Sequence, residues 1–296
     1  MQYHCKLIES LSLKERLVLE WHRANLEMSN GTDLDYLSNA QWDQDDLYAF
    51  LGDHSAVYGG FSRLLHPLAA GIDIELGVEV TRVRHTATDV EVEVVGGEKY
   101  KGWDAVICTV PLGVLKAGAI QFDPPLPRKK VGAISRLGFG TLLKVMIEFN
   151  YVFWDSIDFI GFTPKHRGRF PIFVDCSRAY DRPVLTVMCT GHEAEIMEGK
   201  SDQYIVKQVM KILNLMYKGE VSKIVKSVVT RWRTDPWARG SYSFVPPGSS
   251  GSDYDEISRP LIGGQGEMSG AGAAAGGGGG SGGKRGSKKS SASFES

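Results

Sequence analysis

The pattern of apolar residues predicts a mixed α/β (α+β) fold, with helical and extended segments interspersed along the chain. Three observations carry that expectation. Apolar residues recur at helical spacing near the start and again in Gln203–Tyr217. They alternate with period two in Asp89–Val94. Short runs that are apolar almost throughout, Ala105–Val110 and Leu142–Phe149, are bounded by Pro and Gly.

Up to about Asn30 the chain reads as a helix. Leu17, Trp21, Ala24 and Met28 form one stripe, Lys14, Glu15, Arg23 and Glu27 lie on other faces, and Asn30-Gly31 supplies the stop. Ile72–Leu76 and Asp89–Val94 alternate like half-buried antiparallel strands, the second closed by Gly96-Gly97. Ala105–Val110 reads as a strand covered on both faces and stopped by Pro111. Pro124, Pro125 and Pro127 precede a helix near Lys130–Leu137, and Gly138 and Gly140 flank the turn into a strand over Leu142–Phe149. Val184–Cys189 is a further strand. Gln203–Tyr217 carries Ile205, Val209, Ile212, Leu213 and Met216 on one helical face. Ile224–Trp232 is rich in β-branched residues, as a strand requires. From Gly263 onward Gly, Ala and Ser dominate, so the chain divides into an ordered region, 1–262, and a disordered tail, 263–296. The tail's Lys284, Arg285, Lys288 and Lys289 read either as a solvated basic cluster with no specific partner or as a contact for nucleic acid or acidic chromatin.

The 296 residues are 42% hydrophobic and 23% charged, with a formal net charge of −1, the balance of a globular protein with no global field for nucleic acid or anionic membrane. No apolar run reaches membrane-spanning length. Cys5, Cys108, Cys176 and Cys189 are scattered and match no metal-ligand spacing, which predicts small buried hydrophobes in a reducing compartment. There is no P-loop, no G-x-S-x-G elbow and no G-x-G-x-x-G fingerprint.

Chemistry is therefore sought in local composition. Trp42–Asp46 places three carboxylates in four residues, either a solvated acidic turn or an acidic mouth for a cationic substrate. Lys144 stands alone in an apolar strand, either a snorkelling edge residue or a buried functional amine. Arg231–Phe244 mixes Trp232, Trp237, Tyr242 and Phe244 with three arginines, either a core strand with a polar turn or a wall for a flat ring or an alkylated ammonium.

Together with WHRANLE at Trp21–Glu27, GDH at Gly52–His54, CTVPLGVLK at Cys108–Lys116, QFDPPLP at Gln121–Pro127, RLGFG at Arg136–Gly140 and FWD at Phe153–Asp155, these segments occur in a specific order. From about Lys14 to Pro260 the chain resembles the flavin-dependent amine oxidases, specifically the lysine-specific histone demethylases. The resemblance implies a two-lobed FAD-dependent fold in which an amine gives a hydride to the flavin, the imine is hydrolysed and oxygen yields hydrogen peroxide. It assigns Lys144 to a water-linked contact with the flavin, and Val80, Pro111, Leu112, Trp232 and Trp237 to cofactor binding. Asn25, Asp43, Asp45, Asp46, His54 and Tyr242 fall to the substrate side. No metal is implied. The implied partners are a basic histone tail or a polyamine, and a chromatin corepressor, in the nucleus, or in the cytoplasm for a polyamine oxidase. The glycine-rich dinucleotide fingerprint is not in this sequence, and a Gly/Ala tail stands where the family's final segment is expected. The expectation is thus a partial amine oxidase domain with an incomplete nucleotide-binding lobe, whose chain binds flavin weakly or serves as a non-catalytic binder of basic peptides.

Overall fold

A computed structural model describes residues 10–43 and 55–261. Helix α1 (Leu13–Asn30) starts in a capping box, in which the Glu15 amide donates to the Ser12 hydroxyl (3.3 Å) and the Ser12 amide to the Glu15 carboxylate (2.8 Å). Gly31, at φ 65°, ends it in the left-handed region, where a Cβ is costly. A 3-10 turn follows at Leu34–Tyr36. Glu27, assigned by periodicity to an outer face, is instead 2% exposed. Its carboxylate accepts from Arg167 Nε (2.9 Å) and from the Leu34 amide (3.1 Å). Burial of a carboxylate requires such partners, and period alone does not reveal a cation 140 residues away.

The next elements are α2 (Ser62–Ala69), β1 (Val80–His85), β2 (Val90–Val94), β3 (Lys99–Trp103), α3 (Leu112–Lys116) and β4 (Gln121–Asp123). Strands order as β3-β2-β1-β4, antiparallel except for β4, which runs parallel to β1. Gly96 and Gly97, both at positive φ, make the β2–β3 turn. Two expected strands are not formed. Ile72–Leu76 and Ala105–Val110 are irregular, with Leu76 88% and Ile107 87% exposed. An apolar run becomes a strand only where a neighbour bonds its amides and covers its side chains, and no described strand pairs with either run.

Then follow α4 (Arg128–Arg136), β5 (Gly138–Phe139), β6 (Leu142–Phe149), β7 (Phe159–Gly161), β8 (Ile172–Asp175), α5 (Ser177–Tyr180), β9 (Val184–Thr190), α6 (Gly191–Glu198), α7 (Asp202–Met216), β10 (Ile224–Val229), β11 (Ser243–Phe244) and α8 (Ser252–Ser258). A five-stranded antiparallel sheet has the order β10-β6-β9-β8-β7, and β11 pairs with β5. One face carries the core. Leu143, Val145 and Ile147 of β6 lie opposite Cys189, Val187 and Leu185 of β9, and all six are fully buried. The same cluster takes in Ile205, Val209 and Leu213 of α7 and Ala194 and Met197 of α6. Each large side chain buried here stabilises the fold by about 1.5–3 kcal/mol. The strand expected over Ile224–Trp232 ends at Val229, which leaves Trp232 in a turn.

Candidate active site

Lys144 lies in the middle of β6, between β10 and β9, so it is not an edge residue. Alternation puts Lys144, Met146 and Glu148 on the face opposite Val145 and Ile147. That face is open. From Met146 outward it holds a cavity of about 500 Å³ lined by Met146, Glu148, Arg182, Val184, Lys226 and Val228. The Lys144 backbone is locked, because its amide donates to the Thr230 hydroxyl (2.8 Å) and its carbonyl accepts the Thr230 amide (2.9 Å). The half-buried lysine is therefore mounted on a rigid strand.

Thr230 leads into the turn Arg231–Gly240. Asp235 shapes it, its carboxylate accepting the amides of Trp237 (2.7 Å) and Ala238 (3.3 Å) and its carbonyl the Arg239 amide (2.8 Å). The Gly240 amide returns to the Trp232 carbonyl (2.9 Å). Trp232 is 44% and Trp237 59% exposed, so this segment is no core strand and its indoles are available to a ligand. Gly113 of α3 packs directly on the turn. A Cβ there would stand 2.6 Å from the Arg239 carbonyl oxygen and 2.8 Å from that of Ala238, so only a glycine lets α3, which starts after Pro111, seat on the end of the turn.

Thr230 thus ties Lys144 to the segment that leads into the turn, and Gly113 ties α3 to the end of it; sequence reasoning singled out neither. The hydroxyl ending a β-branched run is the faint signal for Thr230; Gly113 offers none. Val80 stands apart on β1, opposite Val94. On the substrate side, Tyr242 donates its hydroxyl to the Met28 carbonyl and packs on Gly31. Burial pushes its phenol up to about 12. Asn25 is exposed one turn before Met28 on α1, and so shares that helical face. Asp43 is exposed, two residues beyond Gln41, whose side chain accepts the Gly251 amide (3.2 Å). Asp45, Asp46 and His54 lie outside the described residues.

An amine on a rigid strand and two open indoles fit a flat aromatic cofactor such as a flavin. The family model for flavin containing amine oxidoreductases matches residues 3–281. The chain belongs to that family. Among curated proteins, this amine oxidoreductase chain is 40% identical over 273 residues to the "Possible lysine-specific histone demethylase 1" of Drosophila melanogaster, covering 85% of this chain and 30% of that protein. It is 44% identical over 255 residues to "Lysine-specific histone demethylase 1 homolog 1" of Oryza sativa subsp. japonica, covering 84% and 30%. For the Arabidopsis thaliana homolog 1 the identity is 42% over 266 residues, covering 88% and 31%. The chain therefore spans about a third of the length of these relatives. Among solved structures, a putrescine oxidase bound to putrescine shares the fold, with TM-score 0.55 and 22% identity, over 64% of this chain and 43% of that one.

Proposed function

We propose that this amine oxidoreductase chain carries the substrate-binding part of an FAD-dependent demethylase of methylated lysine in histone tails, acting in the nucleus. The placement of Lys144 carries the reading. Its amine is carried by the open face of a central strand, at the root of an aromatic turn and two residues before Met146, which lines the cavity. FAD, when bound, supplies the oxidant, taking a hydride from the N-methyl carbon and passing the electron pair to oxygen as hydrogen peroxide. The chain's own residues do the rest. Lys144 holds the water that adds to the iminium carbon, after which formaldehyde leaves and the amine is one methyl shorter. Trp232, Trp237, Pro111 and Leu112 would hold the flavin ring, and Val80 would meet the adenine end. Asp43, Asp45 and Asp46, with Asn25 and His54, attract and seat a tail rich in Lys and Arg, and Tyr242 walls the amine.

A lysine that already carries three methyl groups has no nitrogen lone pair to stabilise the cation left by hydride loss. The full chain supplied with FAD is expected to release peroxide and formaldehyde from monomethyl- and dimethyl-lysine histone peptides and none from the trimethyl peptide. Peroxide from spermine with none from the peptides overturns the choice of substrate in favour of a polyamine. Bound FAD without turnover on either would leave a binding remnant and overturn the oxidase reading.

A further inference from the structure

Trp232 is 44% exposed, so its direction depends on the backbone on either side of it. On one side Thr230 exchanges two hydrogen bonds with Lys144. On the other side stands Glu198, the last residue of α6 and only 6% exposed. One carboxylate oxygen accepts the Arg233 amide (3.2 Å). The other accepts the Thr234 amide (3.2 Å) and hydroxyl (3.3 Å). Arg231 closes the same junction, donating to the Glu198 carbonyl, to the Lys200 carbonyl (2.9 Å) and to the Asp202 carboxylate. Arg233 pairs with Glu195, one turn earlier on α6. The end of α6 thus grips the residues on both sides of Trp232 and leaves its indole uncovered.

We infer that Glu198 is a positioning residue, which sets the indole of Trp232 against Lys144 by holding the amides of Arg233 and Thr234. The catalytic consequence rests on the oxidase reading; the effect on the indole does not. A buried carboxylate is otherwise costly, and here each oxygen meets a main-chain donor of the aromatic turn and no solvent-facing cation. Glutamine offers one acceptor oxygen in place of two, so Glu198→Gln should act halfway, and alanine should release the turn.

The test isolates Trp232 by subtracting the spectra of Trp232→Phe from those of the same chain with Trp232 present, in the Glu198, Glu198→Gln and Glu198→Ala backgrounds. The near-ultraviolet circular dichroism of that difference should weaken in the glutamine variant and vanish in the alanine variant, with its fluorescence moving towards that of a freely solvated indole. Far-ultraviolet spectra should stay unchanged. Where Glu198→Ala does not fold, Glu198→Gln and Thr234→Val, which removes only the hydroxyl contact, supply the same readout. In the FAD-loaded chain kcat should fall roughly tenfold with KM little changed, since misplacement of a positioned group acts on the reacting geometry. Glu198→Ala should add nothing in a Trp232→Phe background. A Trp232 difference spectrum identical in all folded Glu198 variants overturns the inference. A wild-type chain without turnover counts against the oxidase reading instead, and the spectra still decide the role of Glu198.

Discussion

At the residue scale, Lys144 and Tyr242 are both half-buried or more, yet their surroundings assign them different work. Lys144 points from a central strand to an open face, and its own backbone needs nothing from the side chain. Lys144→Met should therefore leave unfolding curves unchanged while lowering peroxide-coupled turnover by about 10²-fold or more, the scale of a lost proton-handling group. Tyr242 spends its hydroxyl on the Met28 carbonyl at the end of α1. Tyr242→Phe leaves that contact unmade and should reduce stability by about 1 kcal/mol in urea unfolding. Gly140 tolerates no side chain, because a Cβ there would stand 2.4 Å from the Gly31 carbonyl oxygen, a main-chain atom that cannot swing away. Gly140→Ala should destabilise by roughly 1–3 kcal/mol in thermal unfolding, as overpacking does.

At the scale of elements, α8 is fastened to α4 at both of its ends. Near its start, Arg136 pairs with Asp253, and Ser249 donates its hydroxyl to the same carboxylate (2.6 Å). At its finish, the Lys130 amine donates to the carbonyls of Glu256 (2.8 Å), Ile257 (2.7 Å) and Arg259 (2.8 Å), satisfying groups that a helix end leaves open. The Arg136 guanidinium holds the Asp253 carboxyl down at about 2, against the opposing effect of burial. A carboxyl depressed in the folded state stabilises the protein above its ordinary value of 3.8, and this contribution is lost as pH falls from there through about 2. Asp253→Asn should lower stability at neutral pH and flatten the acid limb between those two values, as read by circular dichroism during acid titration.

Across the whole molecule, the two sheets differ in what covers them. The five-stranded sheet has α6 and α7 on one face and a continuous buried cluster beneath. The four-stranded sheet has short strands and neighbours Ile72–Leu76 and Ala105–Val110, whose apolar side chains are largely exposed. Hydrogen exchange should therefore be slowest at Val145, Ile147 and Val187 and faster by orders of magnitude in Lys99–Trp103, where little apolar surface is buried. Equal protection in the two sheets would contradict this division.

The sequence by itself determined the helix ending at Asn30, the strands over Leu142–Phe149 and Val184–Cys189 and the helix over Gln203–Tyr217, because period and stop signals record local geometry directly. It also determined the family, through an ordered series of short segments. It did not determine whether Ala105–Val110 is a strand, since its apolar pattern reports a need for cover and no described strand covers it. Nor did it reveal the buried pairing of Glu27 with Arg167, or the assembly of Lys144, Thr230, Trp232, Gly113 and Glu198 around one turn. Those residues are far apart along the chain, and no local pattern encodes a contact that exists only after the sheet has closed. Tertiary structure decided them by the physics of pairing: a buried charge needs a partner, a strand needs a neighbour, and an exposed indole needs its backbone held.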